Sequence, residues 1–274
     1  MFPNSRSPNS RFPNSRMSAP ARRLVRRSAL CLIALSAALA PLAAGAAERN
    51  WQQSYPIAAD GALSLSNING DVTIRGTSGD QITVTATIKA SKESDLDTVD
   101  VDVDAGKRHV RIETDYSKKR GRWGNSYASV EYDIEVPKGI ELEEIELVNG
   151  SLELSNLSGR IEASLVNGSL EAEGLSGSVE LETVNGRVEA TFDDLSGAQR
   201  IDLESVNGSI QLNLPDDVDA TIDATTVHGK ISNDFGLRVD KGEYVGSDLK
   251  GTLGSGAARI SLENVNGSIK IRRN

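Results

Sequence analysis

A short repeat that ends in glycine limits the folds open to this chain. Ten times a Gly follows a branched aliphatic residue and one intervening Asn, Ser or His, and through the middle of the chain this unit returns every nine residues. The glycines are Gly70, Gly150, Gly159, Gly168, Gly177, Gly186, Gly197, Gly208, Gly229 and Gly267. A short fixed period is typical of stacked architectures in which each unit contacts only its neighbours. The repeat therefore predicts a shape, and it carries no reaction chemistry.

Two arrangements of strands can accommodate units such as GSLEAEGLS (168–176) and GSVELETVN (177–185). In an antiparallel meander each Asn-Gly would form a hairpin turn, and the aliphatic before it would point outward. In a parallel solenoid each leg is a strand plus a corner, the Gly takes a left-handed conformation there, and the aliphatic is buried. Burying a Val or Leu contributes about 1.5–3 kcal/mol. We therefore predict an all-β, single-stranded parallel β-solenoid (β-helix) with rungs of about 18–22 residues and every corner aliphatic inside.

The spacing also predicts which corners lie above one another. Two legs make a rung of 18 residues, so the Asn-Gly corners at 149, 167 and 185 should stack on one edge. The Ser-Gly corners at 158, 176 and 196 should stack on the other edge. Asn side chains stacked in this way can hydrogen-bond along the column. Upstream, alternation of apolar and polar residues predicts longer strands at 62–66, 71–75, 81–89, 98–104, 110–114 and 130–136.

The N-terminal region predicts export. Residues 1–16 repeat pentapeptides related to FPNSR and have no apolar periodicity, so they are no part of the predicted fold. Residues 17–47 have the pattern of a signal peptide: four arginines, an apolar run over 29–42 and small residues at 44–46. Residues 48–274 are predicted to form a single domain without a transmembrane segment, because no apolar run there approaches roughly 20 residues. We expect the mature chain to be periplasmic or on the cell surface.

The charge of the predicted mature chain disfavours two classes of partner. Residues 1–47 contain seven arginines, so removing them from the 30 basic residues leaves 23 against 39 acidic residues, a net charge of minus 16. Such a balance disfavours nucleic acid and bare anionic membrane as partners. The sequence contains no Cys and His cluster for zinc, no phosphate-binding loop and no nucleophile elbow. We therefore predict no enzymatic activity, no metal site and no cofactor.

Acidic residues recur at fixed positions after the corners. Glu153, Glu171 and Glu189 follow successive Asn-Gly corners by three residues, and Glu162 and Glu180 follow Ser-Gly corners in the same way. In a stacked fold they would form outward columns with a spacing of roughly 4.8 Å. One interpretation is a surface for divalent cations or a basic partner, and the other is a solvated face that limits aggregation.

One basic and aromatic segment interrupts the acidic sequence. It contains Lys118, Lys119, Arg120, Arg122 and Trp123. Trp beside Arg and Lys can stack on a sugar ring or hold an anionic envelope polymer, so these five residues are the candidate ligand-binding site. The alternative is a mobile hairpin loop between two strands.

Three stretches of the chain resemble a known family. They read NINGDVTIRGTSGDQITVTATIKA (67–90), YDIEVPKGIELEEIELVNGSLELSNLSG (132–159) and GTLGSGAARISLENVNGSIKI (251–271). In this order they resemble the bacterial putative-adhesin family of β-strand-repeat proteins, a domain of unknown function, over nearly all of residues 50–274. The resemblance implies an exported β-solenoid and supplies no catalytic residues.

Together these features favour a non-enzymatic, adhesin-like binding or scaffolding protein of the bacterial cell envelope, with an envelope polysaccharide or an envelope protein as partner. One alternative is an accessory protein in envelope-stress signalling that binds a membrane sensor. A second is a polysaccharide-active enzyme on a β-helix, which would need a cleft with acids beside a basic residue.

Overall fold

Short strands that alternate between two sheets make up most of the chain that the computed structural model describes, residues 47–116, 128–242 and 245–274. The elements are β1 (Ala47–Pro56), β2 (Ala62–Asn69), β3 (Val72–Thr77), β4 (Gln81–Ala90), α1 (Glu93–Leu96), β5 (Asp100–Ala105), β6 (His109–Asp115), β7 (Ala128–Pro137), β8 (Glu141–Asn149), β9 (Leu152–Ser155), β10 (Ile161–Asn167), β11 (Leu170–Leu175), β12 (Val179–Asn185), β13 (Val188–Phe192), β14 (Arg200–Asn207), β15 (Ile210–Leu214), β16 (Ala220–His228), β17 (Ile231–Asn233), β18 (Val239–Lys241), β19 (Ser247–Leu253), β20 (Ala258–Asn266) and β21 (Ile269–Arg273). Within these residues no helix has the length and apolar character needed to cross a membrane.

The strands form two sheets. The first has ten strands in the spatial order β1-β4-β7-β3-β9-β11-β13-β15-β21-β17. The second has eleven in the order β18-β19-β16-β20-β14-β12-β10-β8-β2-β6-β5. From β8 to β15 the chain passes from one sheet to the other at every corner, so equivalent strands of successive repeats become neighbours.

Neighbouring strands in this middle region run parallel and in register. In the second sheet Ile161 lies opposite Val179, and Val179 lies opposite Ile201. In the first sheet Leu170 pairs with both Leu152 and Val188. The offsets of 18 and 22 residues follow from the spacing of the corner glycines.

The core lies between the inner faces of the two sheets. Successive side chains of a strand point to opposite faces, so Ile161, Ala163 and Leu165 of β10 are buried while the residues between them are exposed. The predicted upstream strands are also present, as β2 to β7. The same inward alternation gives them a continuous core with the middle region.

The predicted single-stranded parallel β-solenoid is wrong, although the all-β class is confirmed. Both sheets are mixed. In the first, β4 is antiparallel to β1 and to β7. In the second, β5 is antiparallel to β6, and β19 is antiparallel to β16 and β18. Spatial order also departs from chain order, since β20 lies between β14 and β16 and β2 lies between β6 and β8.

The error has a physical cause. Alternation of apolar and polar residues specifies which face of a strand is buried, but the same alternation suits a parallel or an antiparallel neighbour. Strand direction is then decided by which distant segment occupies the adjacent edge. Between Gly229 and Gly267 the chain adds β17, β18 and β19, and this insertion returns β20 to the middle of the sheet.

Candidate binding face

The outer face of the second sheet carries a continuous column of exposed aliphatic side chains. Each strand that ends at an Asn-Gly or His-Gly corner contributes the residue just before the Asn or His. In spatial order these are Ile68, Val148, Val166, Val184, Val206, Val265 and Val227, here called the aliphatic column. Each is 38–42% exposed. Because adjacent strands lie about 4.8 Å apart, the seven span about 29 Å.

The prediction that every corner aliphatic is buried is therefore wrong for these seven residues. In β10 the inward positions are Ile161, Ala163 and Leu165, and the strand continues without a break to Asn167. Strict alternation then places Val166 on the outer face. Outward aliphatics were expected only in an antiparallel meander, whereas here they coexist with parallel neighbours.

A ladder of asparagine side chains runs alongside the aliphatic column. The Nδ2 groups donate to the Oδ1 of the next Asn at 2.9–3.1 Å, in the order Asn266, Asn207, Asn185, Asn167, Asn149 and Asn69. Each of the four inner Asn residues uses a donor toward one neighbour and an acceptor toward the other, which Asp cannot do when ionised. This asparagine ladder confirms the prediction of hydrogen bonding along the corners. His228 occupies the next position, opposite Asn266.

The corner glycines are required mainly by close stacking of the backbone. A Cβ on Gly186 would collide with the carbonyl oxygen of Gly168, and a Cβ on Gly168 would collide with that of Gly150. Gly168 has a φ of 153°, which is far from the left-handed helical conformation predicted for it. The stacked glycines and the asparagine ladder together fix the edge beside the aliphatic column.

A row of three carboxylates borders the other side of the column. Glu182, Glu204 and Glu263 lie two residues before their aliphatics on the adjacent strands β12, β14 and β20, and they are cross-strand neighbours. We call them the acidic row. Within the described residues no ion pair joins any of the three to a basic side chain. Two unit charges about 4.8 Å apart repel by about 0.9 kcal/mol even in bulk water.

The mutual repulsion in the acidic row affects the pKa of its central member, Glu204. Partial burial raises the pKa of Glu204 above its usual value, and the neighbouring charges of Glu182 and Glu263 add to this effect. Both causes disfavour the ionised form. Next to this row, side chains of β10, β12, β14, β16 and β20 line a shallow groove of about 390 Å³ that includes Val166, Val184 and Val206.

Both predicted acidic columns are present. On the first sheet Glu153, Glu171 and Glu189 are cross-strand neighbours, and on the second sheet Glu162 lies beside Glu180. Unlike the acidic row, these columns contain polar or basic partners.

Glu189 accepts a hydrogen bond from Gln211 at 2.7 Å, and Arg160 lies 3.3 Å from Glu162 and 3.9 Å from Glu180. Among the described residues no group of three or more His, Cys, Asp or Glu side chains is arranged to hold a metal ion. These contacts favour a solvated, partly neutralised face.

A polar cluster elsewhere on the second sheet contains the residue types of a catalytic triad. Ser64 Oγ lies 3.2 Å from His109 Nε2, and His109 Nδ1 lies 3.9 Å from Glu143 Oε2. The second distance is beyond hydrogen-bond reach. Arg111 and Arg160, the two cations that line this pocket of about 250 Å³, each lie within 4 Å of other carboxylates. The acidic residues around Ser64 would repel the oxyanion that forms during hydrolysis. The arrangement therefore favours a hydrogen-bonded surface cluster.

The candidate ligand-binding residues Lys118, Lys119, Arg120, Arg122 and Trp123 lie outside the described residues, and their role stays a prediction. The residue at the edge of this segment, Tyr116, is described. Its hydroxyl donates to the carbonyl oxygen of Asn69 at 2.9 Å, and burial raises its pKa to about 12. Tyr116 therefore lies at the end of the asparagine ladder formed by Asn69.

The acidic row was not predicted from the sequence. The distance from each Gly forward to the next acidic residue changes where extra residues enter, as after Gly197. Counted backward, Glu182, Glu204 and Glu263 all stand three residues before the Asn of a corner. The strand that leads into the corner keeps this distance constant, so the backward count is the signal that could have found the row.

A family model described as Toastrack DUF4097 matches residues 150–272. The match begins just after β8, so it includes most of the aliphatic column and the whole acidic row. No curated protein matches the chain.

Several crystal structures resemble the chain at low identity. A putative cell adhesion protein from Clostridium sporogenes is 16% identical, with 82% of this chain and 100% of that chain covered and a TM-score of 0.42. A putative adhesin from Bacteroides fragilis is 14% identical, with 82% and 97% covered and a TM-score of 0.37. A putative lipid binding protein from Parabacteroides distasonis is 13% identical, with 82% and 96% covered and a TM-score of 0.23. Identities this low transfer no residue role to this chain.

Proposed function

We propose, from the match of residues 150–272 to the Toastrack DUF4097 family model, a domain of unknown function, that the chain is a non-enzymatic, exported binding or scaffolding protein of the bacterial cell envelope. In this proposal the leader at 17–47 directs export, and residues 48–274 act as one folded unit. The outer face of the second sheet is the binding surface.

The aliphatic column is the observation that carries the proposal. Single exposed aliphatics are normal on protein surfaces. Seven in one register on seven adjacent strands form a continuous apolar stripe, which is the usual mark of an interaction site. The stripe lies on a rigid support, because the asparagine ladder and the stacked glycines hold the corners beside it.

Hydrolysis is the less favoured alternative. The cluster of Ser64, His109 and Glu143 has cations that are paired with other carboxylates and a long His109–Glu143 separation. The pocket that these residues line is open to solvent, so it would exclude little water from a reacting group. Binding needs neither feature.

The proposal is tested by retention of envelope components. The protein, expressed with its own leader and purified, would be immobilised and exposed to an extract of envelope proteins and polysaccharides. We expect specific retention by the wild type and its loss from the double variant Val184→Thr/Val206→Thr. Thr keeps the branched shape of Val, so the fold should persist while the apolar surface is reduced.

The predicted basic segment supplies the matched comparison. In the same assay, Arg122→Ala/Trp123→Ala should reduce retention of polysaccharide if that segment contributes a sugar-binding site. Retention unchanged by both double variants would remove both surfaces from consideration. A wild type that retains nothing would contradict the proposed function.

A further inference from the structure

We propose that the aliphatic column and the acidic row together form a docking site for an amphipathic α-helix that has basic residues along one flank. This inference rests on the proposed function and deepens it, because it names the chemistry of the partner. It is carried by the apolar surface, the unpaired charge and the spacing of the column.

The apolar surface is large enough to be a site. Seven aliphatic side chains with about two fifths of their surface exposed give a patch on the order of 400 Å², within the range of the largest and often functional patches on monomers. The patch is narrow, one side chain wide and about 29 Å long. A partner must therefore be elongated, with a single apolar stripe.

The charges beside the column select a cationic partner. Glu182, Glu204 and Glu263 form an uninterrupted row, and within the described part of the chain none has an ion pair. A lysine or arginine brought next to this row would relieve the mutual repulsion of the carboxylates. Long basic side chains can lie along apolar surface while their charged ends reach outward to an acid.

The same charges disfavour two other occupants. A second copy of this chain would bring another acidic row to the interface, and its residues 48–274 carry a net charge of minus 16. An anionic lipid surface would be repelled in the same way. Neither supplies the cations that the row lacks.

The spacing of the column favours a helix over an extended peptide. Members of the column recur about every 4.8 Å, the distance between strands. Residues three and four apart on a helix rise by about 4.5 and 6.0 Å, which brackets this spacing. Alternate residues of an extended chain recur every 6.4–6.8 Å and would fall out of step within a few strands. A helix of about 19 residues would match the full length of the column.

The test uses a designed peptide of 20 residues as the probe. It carries Leu at helical i, i+3 and i+4 positions and Lys along one flank of that stripe, with a fluorescent label for anisotropy. One control peptide has the same composition in an order that destroys the stripe, and a second replaces every Lys with Glu. We expect saturable binding of the first peptide alone to the protein purified after expression with its own leader.

Two sets of variants separate the contributions of the column and the row. Val184→Thr/Val206→Thr should weaken binding about tenfold or more at any salt concentration, because it removes apolar contact. Glu182→Gln/Glu204→Gln/Glu263→Gln should weaken binding at low salt and abolish most of its salt dependence. A matched control, Glu153→Gln/Glu171→Gln on the first sheet, should leave binding unchanged.

The inference would be overturned by equal binding of the shuffled peptide, by binding that neither set of variants changes, by absence of peptide binding, or by a wild-type dimer in sedimentation that Val184→Thr/Val206→Thr dissociates. The dimer would assign the column to a second copy of the chain. If the peptide does not bind while envelope components are still retained through the column, the helical partner is wrong and the proposed function stands. If neither is observed, both are wrong.

Discussion

The two edges of the repeat have almost the same three-residue sequence, an aliphatic, then Asn or Ser, then Gly. The aliphatic is exposed at one edge and buried at the other. At the Asn-Gly edge the aliphatic is exposed, as in Val166 and Val184. At the Ser-Gly edge Leu157 and Leu175 are completely buried, while Leu195 beside a longer loop is partly buried. The motif alone therefore does not determine whether its aliphatic belongs to the core.

The difference comes from one residue before the buried leucines. Asn156 has a φ of 57° and Gly174 a φ of 64°, both in the left-handed region. Such a residue interrupts the alternation of the strand. Leu154 and Leu157 are therefore both buried, although strict alternation would place residues i and i+3 on opposite faces. Into the Asn-Gly corner at 167 the strand runs unbroken, and the aliphatic stays on the outer face. One left-handed residue thus distinguishes the Ser-Gly edge, where Leu157 and Leu175 are in the core, from the Asn-Gly edge, which we propose binds a partner.

The largest expected effect compares one aliphatic from each edge. Leu175→Ala should lower the free energy of unfolding by about 2–5 kcal/mol, because it leaves a cavity in the core. Val184→Ala should lower it by about 0.5 kcal/mol or less, because about two fifths of the residue is already exposed and no core cavity is created. Urea denaturation of both variants measures the difference. Similar losses at the two positions would mean that the two edges do not differ in burial.

A smaller effect should follow from changing the residue that interrupts the alternation. Asn156→Val should lower the free energy of unfolding by about 1–2 kcal/mol, because a β-branched side chain is strained at a positive φ. Asn156→Gly serves as the matched control and should be nearly neutral, since Gly adopts this conformation readily. Thermal or urea unfolding of the pair provides the measurement. A Val variant as stable as the Gly variant would show that the left-handed conformation is not what buries Leu157.

The smallest effect concerns pH and the exposed edge. The folded state raises the pKa of Glu204, so this group destabilises the fold when it is ionised. The penalty is absent below the unfolded pKa of about 4.3 and becomes complete as the pH rises past the folded value. Glu204→Gln should therefore be slightly more stable than the wild type at pH 7 and should lose this advantage near pH 4.

Salt provides the control for this prediction. Screening by salt weakens the repulsion from Glu182 and Glu263 but leaves the part of the pKa rise of Glu204 that burial causes. High salt should therefore reduce the advantage of Glu204→Gln at pH 7 without removing it. Unfolding curves at several pH values and two salt concentrations measure both effects. An advantage that grows toward low pH would contradict the assignment.

Several features of the candidate face could be predicted from the residues. The asparagine ladder follows from Asn recurring at 149, 167 and 185, because side chains in identical positions of successive repeats must stack. On the first sheet, away from that face, the column of Glu153, Glu171 and Glu189 follows in the same way. The recurrence of the aliphatics was visible in the sequence, but their exposure was not. Each aliphatic lies where a strand meets a corner, and there the backbone conformation decides which face of the sheet the side chain occupies.

By itself the sequence determined an all-β chain, the positions of most strands, and which residues repeat at equivalent corners. These are local properties, set by alternation, by the conformational demands of turns and by a fixed period. Only the tertiary structure decided the direction of β4, β5 and β19, the place of β20 beside β14, and the side of the sheet on which Val166 lies. The physical reason is that hydrogen bonding between strands is satisfied by either direction, so the choice depends on contacts between segments that lie far apart in the chain.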